Sequence, residues 1–123
     1  MPAWTDDELR RIDSSLELEI APVRRDGSLR TRTPIWAVRV GDDLYVRAAH
    51  GPSTGWHRVA SRSGAARVWA GGVEKAVTVE PAHESVHDDV DAAYRNKYSR
   101  SASIVDGITN DEARATTMRL APR

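Results

Sequence analysis

Apolar and polar residues alternate along much of the first two thirds of the chain, at the two-residue period of a half-buried β-strand. The alternation is strictest from Leu16 to Ile20. Six segments are predicted to be strands: Leu16–Ile20, Thr33–Val40, Leu44–Ala48, Ala66–Ala70, Val73–Val79 and Thr116–Leu120. Turn-forming pairs such as Asp26-Gly27 and Gly71-Gly72 separate consecutive strands, so neighbouring strands should pair antiparallel.

A different spacing, close to the helical period, occurs between these segments. Three helices are predicted from about Asp6 to Ser14, over Trp56–Arg62, and from about His83 to Tyr98. The first follows a capping box formed by Thr5 and Glu8. The segment Ser99–Asn110 is predicted to be a polar connection, after which Asn110 caps one turn that ends near Arg114. Six short antiparallel strands bury a shared apolar face best by closing into a small barrel.

Composition and charge limit the function classes. The 123 residues include 18 Lys and Arg against 18 Asp and Glu, so a broad nucleic-acid-binding surface is not expected. Cysteine is absent, which excludes disulfides and thiolate catalysis. No apolar run approaches the roughly 20 residues of a membrane span, and Met1–Asp7 is too polar for a signal peptide. We therefore expect one cytoplasmic domain over residues 1–123, with neither nucleic acid nor membrane as a partner.

Several stretches of this sequence resemble a known group of proteins. They are Arg30-Thr31-Arg32-Thr33-Pro34-Ile35-Trp36, Leu44-Tyr45-Val46-Arg47, Gly51-Pro52-Ser53-Thr54-Gly55-Trp56-His57-Arg58 and Ala66-Arg67-Val68. Their order resembles the strands, glycine loop and plug helix of the split β-barrel proteins that bind flavin or deazaflavin, the pyridoxamine-phosphate-oxidase-like group. Within that group the chain is most similar to a small bacterial family, domain of unknown function 2255.

The resemblance implies a fold class: α+β, mainly β, with a six-stranded antiparallel split β-barrel and two or three flanking helices. Residues 1–15 should hold the N-terminal helix, residues 16–80 the barrel core, and residues 81–123 the C-terminal helix and closing strand. It also implies a homodimer with a cofactor, flavin mononucleotide or a deazaflavin coenzyme, in the groove between subunits. Such a protein is expected to be an oxidoreductase acting on a small organic substrate.

The resemblance also assigns roles to particular residues. Arg32 and Thr33 would lie near the flavin ring or its phosphate, Arg47, Ser53 and Thr54 would contact the phosphate, and Trp56 would cover the ring or ribityl chain. One departure from the group lies in the loop before the plug helix, where the flavin oxidases usually carry a lysine and this chain has Gly55-Trp56-His57-Arg58. The alternative is therefore a cofactor-free small-molecule-binding or biosynthetic accessory protein that uses the same groove.

The residues themselves favour an anion site in the same place. On an extended strand Arg30 and Arg32 would face one way, near the hydroxyls of Ser53 and Thr54, and two guanidinium groups clamp phosphate well. Arg30 is therefore added to the expected cofactor-binding residues. The competing interpretation is a solvated strand face, on which the arginines pair with nearby carboxylates: Glu17, Glu19 or Asp26.

Histidines provide two further hypotheses. His83-Glu84-Ser85-Val86-His87 matches H-E-x-x-H, in which two imidazoles on one helix face bind zinc and the glutamate acts as base. This motif stands at a helix start and has no downstream histidine, so a zinc-dependent hydrolase is the least favoured function. His50 and His57 flank the glycine loop and are candidate acid or base groups because imidazole titrates near neutrality.

Overall fold

The computed structural model of the protein describes residues 3–49, 51 and 54–123. Within this part of the chain there are seven strands: β1 (Leu18–Pro22), β2 (Thr33–Ile35), β3 (Ala37–Val40), β4 (Asp43–Val46), β5 (Ala65–Ala70), β6 (Val73–Pro81) and β7 (Met118–Pro122). Five α-helices accompany them: α1 (Asp6–Ser14), α2 (Gly55–Ser63), α3 (His87–Lys97), α4 (Ala102–Thr109) and α5 (Asp111–Arg114). A single 3₁₀ turn, Glu84–Val86, precedes α3.

The strands form one antiparallel sheet in the order β2-β1-β5-β6-β7-β4-β3. Its two edge strands, β2 and β3, are consecutive in the chain and are separated only by Trp36. Ile35 pairs with Leu18 of β1, whereas Ala37 pairs with Val46 of β4. One short ribbon therefore joins both ends of the sheet, and the sheet curls into a nearly closed barrel. This confirms the predicted fold class.

The strand count differs from the predicted six because the segment Thr33–Val40 is two strands. Trp36 has no strand partner, and the ribbon turns there from one end of the sheet to the other. The other predicted strands are present with shifted bounds. The first begins at Leu18, and Leu16 remains 70% exposed.

The main core fills the barrel. Inward-facing apolar side chains from the strands include Leu18, Ile20, Ala37, Leu44, Val46, Val68, Val77 and Leu120. Leu9 and Ile12 of α1 and Trp56 and Ala60 of α2 belong to the same cluster, so each helix covers part of the barrel with its apolar side. The predicted capping box at the start of α1 is confirmed, with Thr5 and Glu8 exchanging hydrogen bonds.

A second core lies between the outer face of β3 and β4 and the C-terminal helices. Val38 and Tyr45 point outward from these strands and pack against Val90, Tyr94 and Ile108. The hydroxyl of Tyr94 donates to the carbonyl oxygen of Trp36 at 2.7 Å. Strands β3 and β4 are therefore buried on both faces.

Two predictions for this C-terminal region are wrong. The segment expected to be a polar connection contains α4, because Ile104, Val105 and Ile108 recur at helical spacing and pack into the second core. The helix expected over His83–Tyr98 is interrupted, with a 3₁₀ turn before α3. The predicted cap of α5 by Asn110 is confirmed, since its side chain accepts from the backbone N–H of Ala113. None of the described helices is long and apolar enough to cross a membrane.

A buried ion-pair network fastens these helices to the barrel. Arg47 follows β4 directly, its side chain is fully buried, and it forms an ion pair with Asp91 of α3. Arg114, at the end of α5, binds the other oxygen of Asp91. Arg47 also donates to Thr117 Oγ1 at 2.8 Å and to the carbonyl oxygen of Ile108 at 3.0 Å. Burial opposes ionisation of Asp91, but the hydrogen bonds from the two guanidiniums outweigh it and lower its pKa.

The network predicts a specific loss of stability. Asp91→Asn is expected to lower the free energy of unfolding by about 3–5 kcal/mol at pH 7, because Arg47 then stays buried without a carboxylate. Since the pKa of Asp91 is lower in the folded chain, this contribution is complete above about pH 4 and is lost as the pH falls further. Urea denaturation across a pH series measures both effects.

The matched control is Asp88→Asn, which removes a carboxylate that faces Arg114 but is 96% exposed. It should change the free energy of unfolding by no more than about 0.5 kcal/mol. Equal effects of the two variants would contradict the assigned role of Asp91.

Candidate functional site

Arg30 is held at the base of the hairpin that connects β1 and β2. Its backbone N–H donates to the carbonyl oxygen of Pro22 at 2.8 Å, next to an isolated bridge between Val23 and Leu29. Its side chain is half-buried, and Nη1 donates to Thr33 Oγ1 at 3.3 Å. The guanidinium therefore has a defined direction, toward the first residue of α2.

Gly55, the first residue of α2, makes room for this guanidinium. A Cβ atom placed there would lie 2.5 Å from Nη2 of Arg30 and 3.2 Å from its Cζ. Any other residue at this position would push the arginine away. The glycine therefore lets the guanidinium of Arg30 lie directly against the helix backbone, whereas a larger residue would make the end of the arginine side chain move aside.

The charges around Arg30 fit an anion. The first turn of α2 has no acidic residue, and the side chain of Thr54 does not cap it, since the Thr54 hydroxyl donates to the carbonyl oxygen of Gly51 at 2.8 Å. Arg30 forms no ion pair among the described residues. A cation beside the positive end of a helix dipole is repelled unless an anion lies between them. We call Arg30, Thr33 and the first turn of α2 the Arg30 site.

Arg32 lies elsewhere, so the predicted clamp of two adjacent arginines is not formed. Its guanidinium carbon stacks 3.7 Å from the ring centre of Trp69, and Nη1 lies 3.8 Å from Glu19 Oε1. The competing interpretation, pairing with a strand carboxylate, therefore describes Arg32. Trp69, Pro34, Glu17 and Glu19 line a shallow depression on this side of the barrel.

Two other predicted contacts are incompatible with the folded chain. Arg47 is turned inward to Asp91 and has a fully buried side chain, so it offers no surface to a phosphate. Trp56 is 4% exposed and belongs to the barrel core, so it does not cover a ligand on the surface. In this fold the charge of Arg47 is neutralised by Asp91 in the interior, and Trp56 is part of the apolar core.

The remaining predictions concern the glycine loop. His50 and Ser53 lie outside the described residues. His57 is half-buried on α2, with Nε2 3.2 Å from the carbonyl oxygen of Thr116 and Nδ1 3.5 Å from Ser61 Oγ. Both ring nitrogens thus have a partner within the chain, which orients the imidazole along the helix.

The H-E-x-x-H match does not form the expected helical pair. His83 precedes the 3₁₀ turn, and its Nδ1 accepts the backbone N–H of Ser85 at 3.0 Å, while His87 begins α3. The pair therefore spans a helix boundary instead of one helical face. Across residues 3–49, 51 and 54–123, no three His, Asp or Glu side chains are grouped to hold a metal.

Sequence reasoning missed the two residues that define these surfaces, Gly55 and Trp69. The signal for the Arg30 site was Gly55, which stands at the start of a helix whose first turn has no acidic residue. The signal for Trp69 was its place on a strand whose alternate residues, Ala66 and Val68, point into the core. Its own side chain therefore points outward.

A nearly closed antiparallel barrel with flanking helices places this chain in the split β-barrel class. The chain belongs to the family of domain of unknown function 2255 (DUF2255), an uncharacterized protein conserved in bacteria, whose sequence profile matches residues 8–120. No curated protein has a matching sequence.

Solved structures share the fold at low sequence identity. The heme storage protein HutZ from Vibrio cholerae superposes with a TM-score of 0.71 at 13% identity, covering 100% of this chain and 92% of HutZ. An FAD and heme binding protein from Mycobacterium smegmatis gives 0.57 at 18%, covering 95% and 65%. An F420 reductase gives 0.53 at 16%, covering 93% and 91%.

The geometry of the H-E-x-x-H match predicts that it holds no zinc. After dialysis against zinc and then against metal-free buffer, the wild-type protein and the double variant His83→Ala/His87→Ala should retain equal zinc by elemental analysis. One equivalent of zinc that is lost only in the double variant would overturn this prediction.

Proposed function

We propose that this protein is a homodimeric split-barrel protein of the cytoplasm that binds a flavin-type cofactor through its phosphate. We further propose that it is an oxidoreductase acting on a small organic substrate. Support comes from the fold, which it shares with an FAD and heme binding protein and with an F420 reductase. When bound, the cofactor supplies the hydride or electron transfer, and the chain supplies binding and orientation.

The observation that carries this proposal is the Arg30 site. The guanidinium of Arg30, 3.3 Å from the Thr33 hydroxyl, lies at the first turn of α2, where no side chain of the described residues caps the backbone N–H groups. Arginine and a helix start are both favourable partners of a phosphate monoester. In our proposal Arg30 neutralises the phosphate charge, Thr33 accepts or donates one hydrogen bond, and Thr54 stands beside them at the helix start.

A cofactor-free binding protein is the second candidate. It is favoured by the positions of Arg47 and Trp56, which are buried inside the chain and leave fewer groups for a cofactor than the sequence predicts. Proteins that share a fold can differ in function. A direct test of cofactor binding therefore decides between the two candidates.

The proposed dimer would use the side of the barrel around Trp69. Trp69 is half-buried, Pro34 is exposed, and Leu16 is 70% exposed near Glu17 in the same region. Aromatic residues and arginine are the side chains that contribute most to protein interfaces, and Arg32 stacked on Trp69 offers both. A second copy would cover this surface and remove it from water.

The first prediction from the proposal concerns the phosphate. The wild-type protein should quench the fluorescence of flavin mononucleotide at micromolar concentration and should bind riboflavin, which lacks the phosphate, more weakly. Arg30→Gln should weaken binding of the mononucleotide by about 10- to 100-fold, because a charge-assisted hydrogen bond contributes about 1.5–3 kcal/mol. It should leave riboflavin binding unchanged.

Arg25→Gln is the matched control, since Arg25 is an exposed arginine in the same hairpin. It should change the affinity by less than about twofold, as expected for a screened surface charge. If neither flavins nor a deazaflavin bind at micromolar concentration, the cofactor proposal is wrong and the cofactor-free candidate takes its place.

The second prediction concerns assembly. Size-exclusion chromatography with light scattering should give twice the chain mass of 13.6 kDa for the wild-type protein. Trp69→Glu should give the monomer mass, because a charge replaces the aromatic surface at the proposed contact. Ala92→Glu, at an exposed position on α3, should remain dimeric. A wild-type monomer would contradict the proposed dimer.

A further inference from the structure

A serine and a histidine lie side by side on the flank of α2 that faces the start of β7. Ser61 follows His57 by four residues, a spacing that puts two side chains on the same side of a helix. Oγ of Ser61 lies 3.5 Å from Nδ1 of His57. Ser61 is exposed and His57 is half-buried, so a reagent in solution can reach the hydroxyl beside the imidazole. We call these two residues the serine–histidine pair.

The other ring nitrogen of His57 determines where the imidazole carries its hydrogen. Nε2 lies 3.2 Å from the carbonyl oxygen of Thr116, and a carbonyl oxygen can only accept a hydrogen bond. The neutral ring therefore carries its hydrogen on Nε2 and has its lone pair on Nδ1, the nitrogen next to Ser61. His57 can thus accept a proton from the Ser61 hydroxyl.

Thr116 holds this carbonyl oxygen in a fixed position. The residue is 2% exposed, its backbone N–H donates to the carbonyl oxygen of Ala113 at 3.0 Å, and its hydroxyl oxygen accepts from the N–H of Ala48 at 2.8 Å. The ring of Trp56 packs edge-on against the imidazole, with the ring centres 5.6 Å apart. A hydroxyl, a base beside it and a buried group that orients the base are the parts of an activated nucleophile.

The surroundings of Ser61 leave the imidazole as its better acceptor. The second neighbour of its hydroxyl is the sulfur of Met118 at 3.6 Å, and a thioether accepts hydrogen bonds only weakly. Ser63 is also exposed on α2, but its hydroxyl donates to the backbone carbonyl of Ala65 at 3.1 Å. The helix therefore carries its own reference serine, whose partner is a backbone carbonyl instead of a base.

We propose that the serine–histidine pair is a separate reactive site, at which Ser61 accepts the acyl group of an activated carboxylic ester. Oγ of Ser61 attacks the ester carbonyl carbon while its proton moves to Nδ1 of His57, and the bond to the leaving oxygen breaks. His57 returns the proton to the leaving oxygen, so the products are an acyl ester of Ser61 and a free alcohol. Water then cleaves this ester in the same way, which releases the carboxylic acid and restores both residues.

Reaction of the whole chain with p-nitrophenyl acetate tests the acyl transfer. Peptide mass spectrometry should find the acetyl group on Ser61 of the wild-type protein and on no serine of the Ser61→Ala variant. His57→Gln should slow acetylation of Ser61 by about 100-fold, the lower end of what a positioned general base contributes. The matched control Ser63→Ala should stay within twofold of wild type. Acetylation confined to histidine or lysine side chains would overturn the proposal.

A second measurement follows the proton transfer without depending on how an ester binds. The chain has no cysteine, so Ser61→Cys and Ser63→Cys each introduce a single thiol. A thiol beside a base reacts faster because the thiolate is the nucleophile, so iodoacetamide should alkylate the Ser61→Cys variant at least about 10-fold faster at pH 7. Adding His57→Gln should abolish this difference. Equal rates in both variants, or a difference that persists without His57, would contradict the inference. Thermal unfolding confirms that each variant is folded.

This inference does not rest on the proposed function, and the two fail in different ways. If no flavin or deazaflavin binds while acetylation of Ser61 depends on His57, the cofactor proposal is wrong and the serine–histidine pair stands. If flavin mononucleotide binds through Arg30 while neither acetylation nor alkylation depends on His57, the pair is not reactive and the cofactor proposal stands.

Discussion

The ion pair between Arg47 and Asp91 is the interaction on which the rest of the structure depends. It is fully buried, and it connects the end of a barrel strand to a helix that follows in the chain more than forty residues later. A buried guanidinium is tolerated only when its donors find partners, and here Thr117 Oγ1 and the carbonyl oxygens of Ile108 and His87 accept from Arg47 as well. The carboxylate of Asp91 also binds Arg114, so the end of β4, α3 and α5 are held together at this one side chain. The second apolar core forms around this point.

This arrangement also explains why the surface around Trp69 is free of the C-terminal helices. The outer face of β3 and β4 is occupied by α3 and α4, whereas β1, β2 and β5 keep an outer face on which Arg32 and Trp69 stack. The hairpin before β2 brings Arg30 to α2, and α2 presents its polar side outward. The proposed dimer contact therefore belongs to a surface that α3 and α4 leave uncovered, and the anion site forms where α2 begins.

Local patterns in the sequence were sufficient for most elements and for part of the site. Alternation located the strands, and Thr5 and Glu8 defined the start of α1 because capping is a local interaction. The division of Thr33–Val40 at Trp36 depends on which distant strands pair with each half, and no local pattern carries that information. Arg47 matched a phosphate-binding pattern, yet its partner is far away in the sequence, so its burial could not be foreseen. Arg30 was identified, but its separation from Arg32 follows from the hairpin geometry and from the stacking of Arg32 on Trp69.

The ribbon that joins both ends of the sheet has a consequence for behaviour at high concentration. Exposed sheet edges are templates on which further chains can add strands and start aggregates. At the edge of β3, backbone groups already have side-chain partners. Lys97 Nζ donates to the carbonyl oxygen of Ala37 at 2.7 Å, and the N–H of Arg39 donates to Asp13 at 3.2 Å. The other edge, β2, is only three residues long and contains Pro34, which has no N–H to offer. Edge-to-edge polymerisation is therefore opposed at β3 by these side-chain contacts and at β2 by the short length of the strand and its proline.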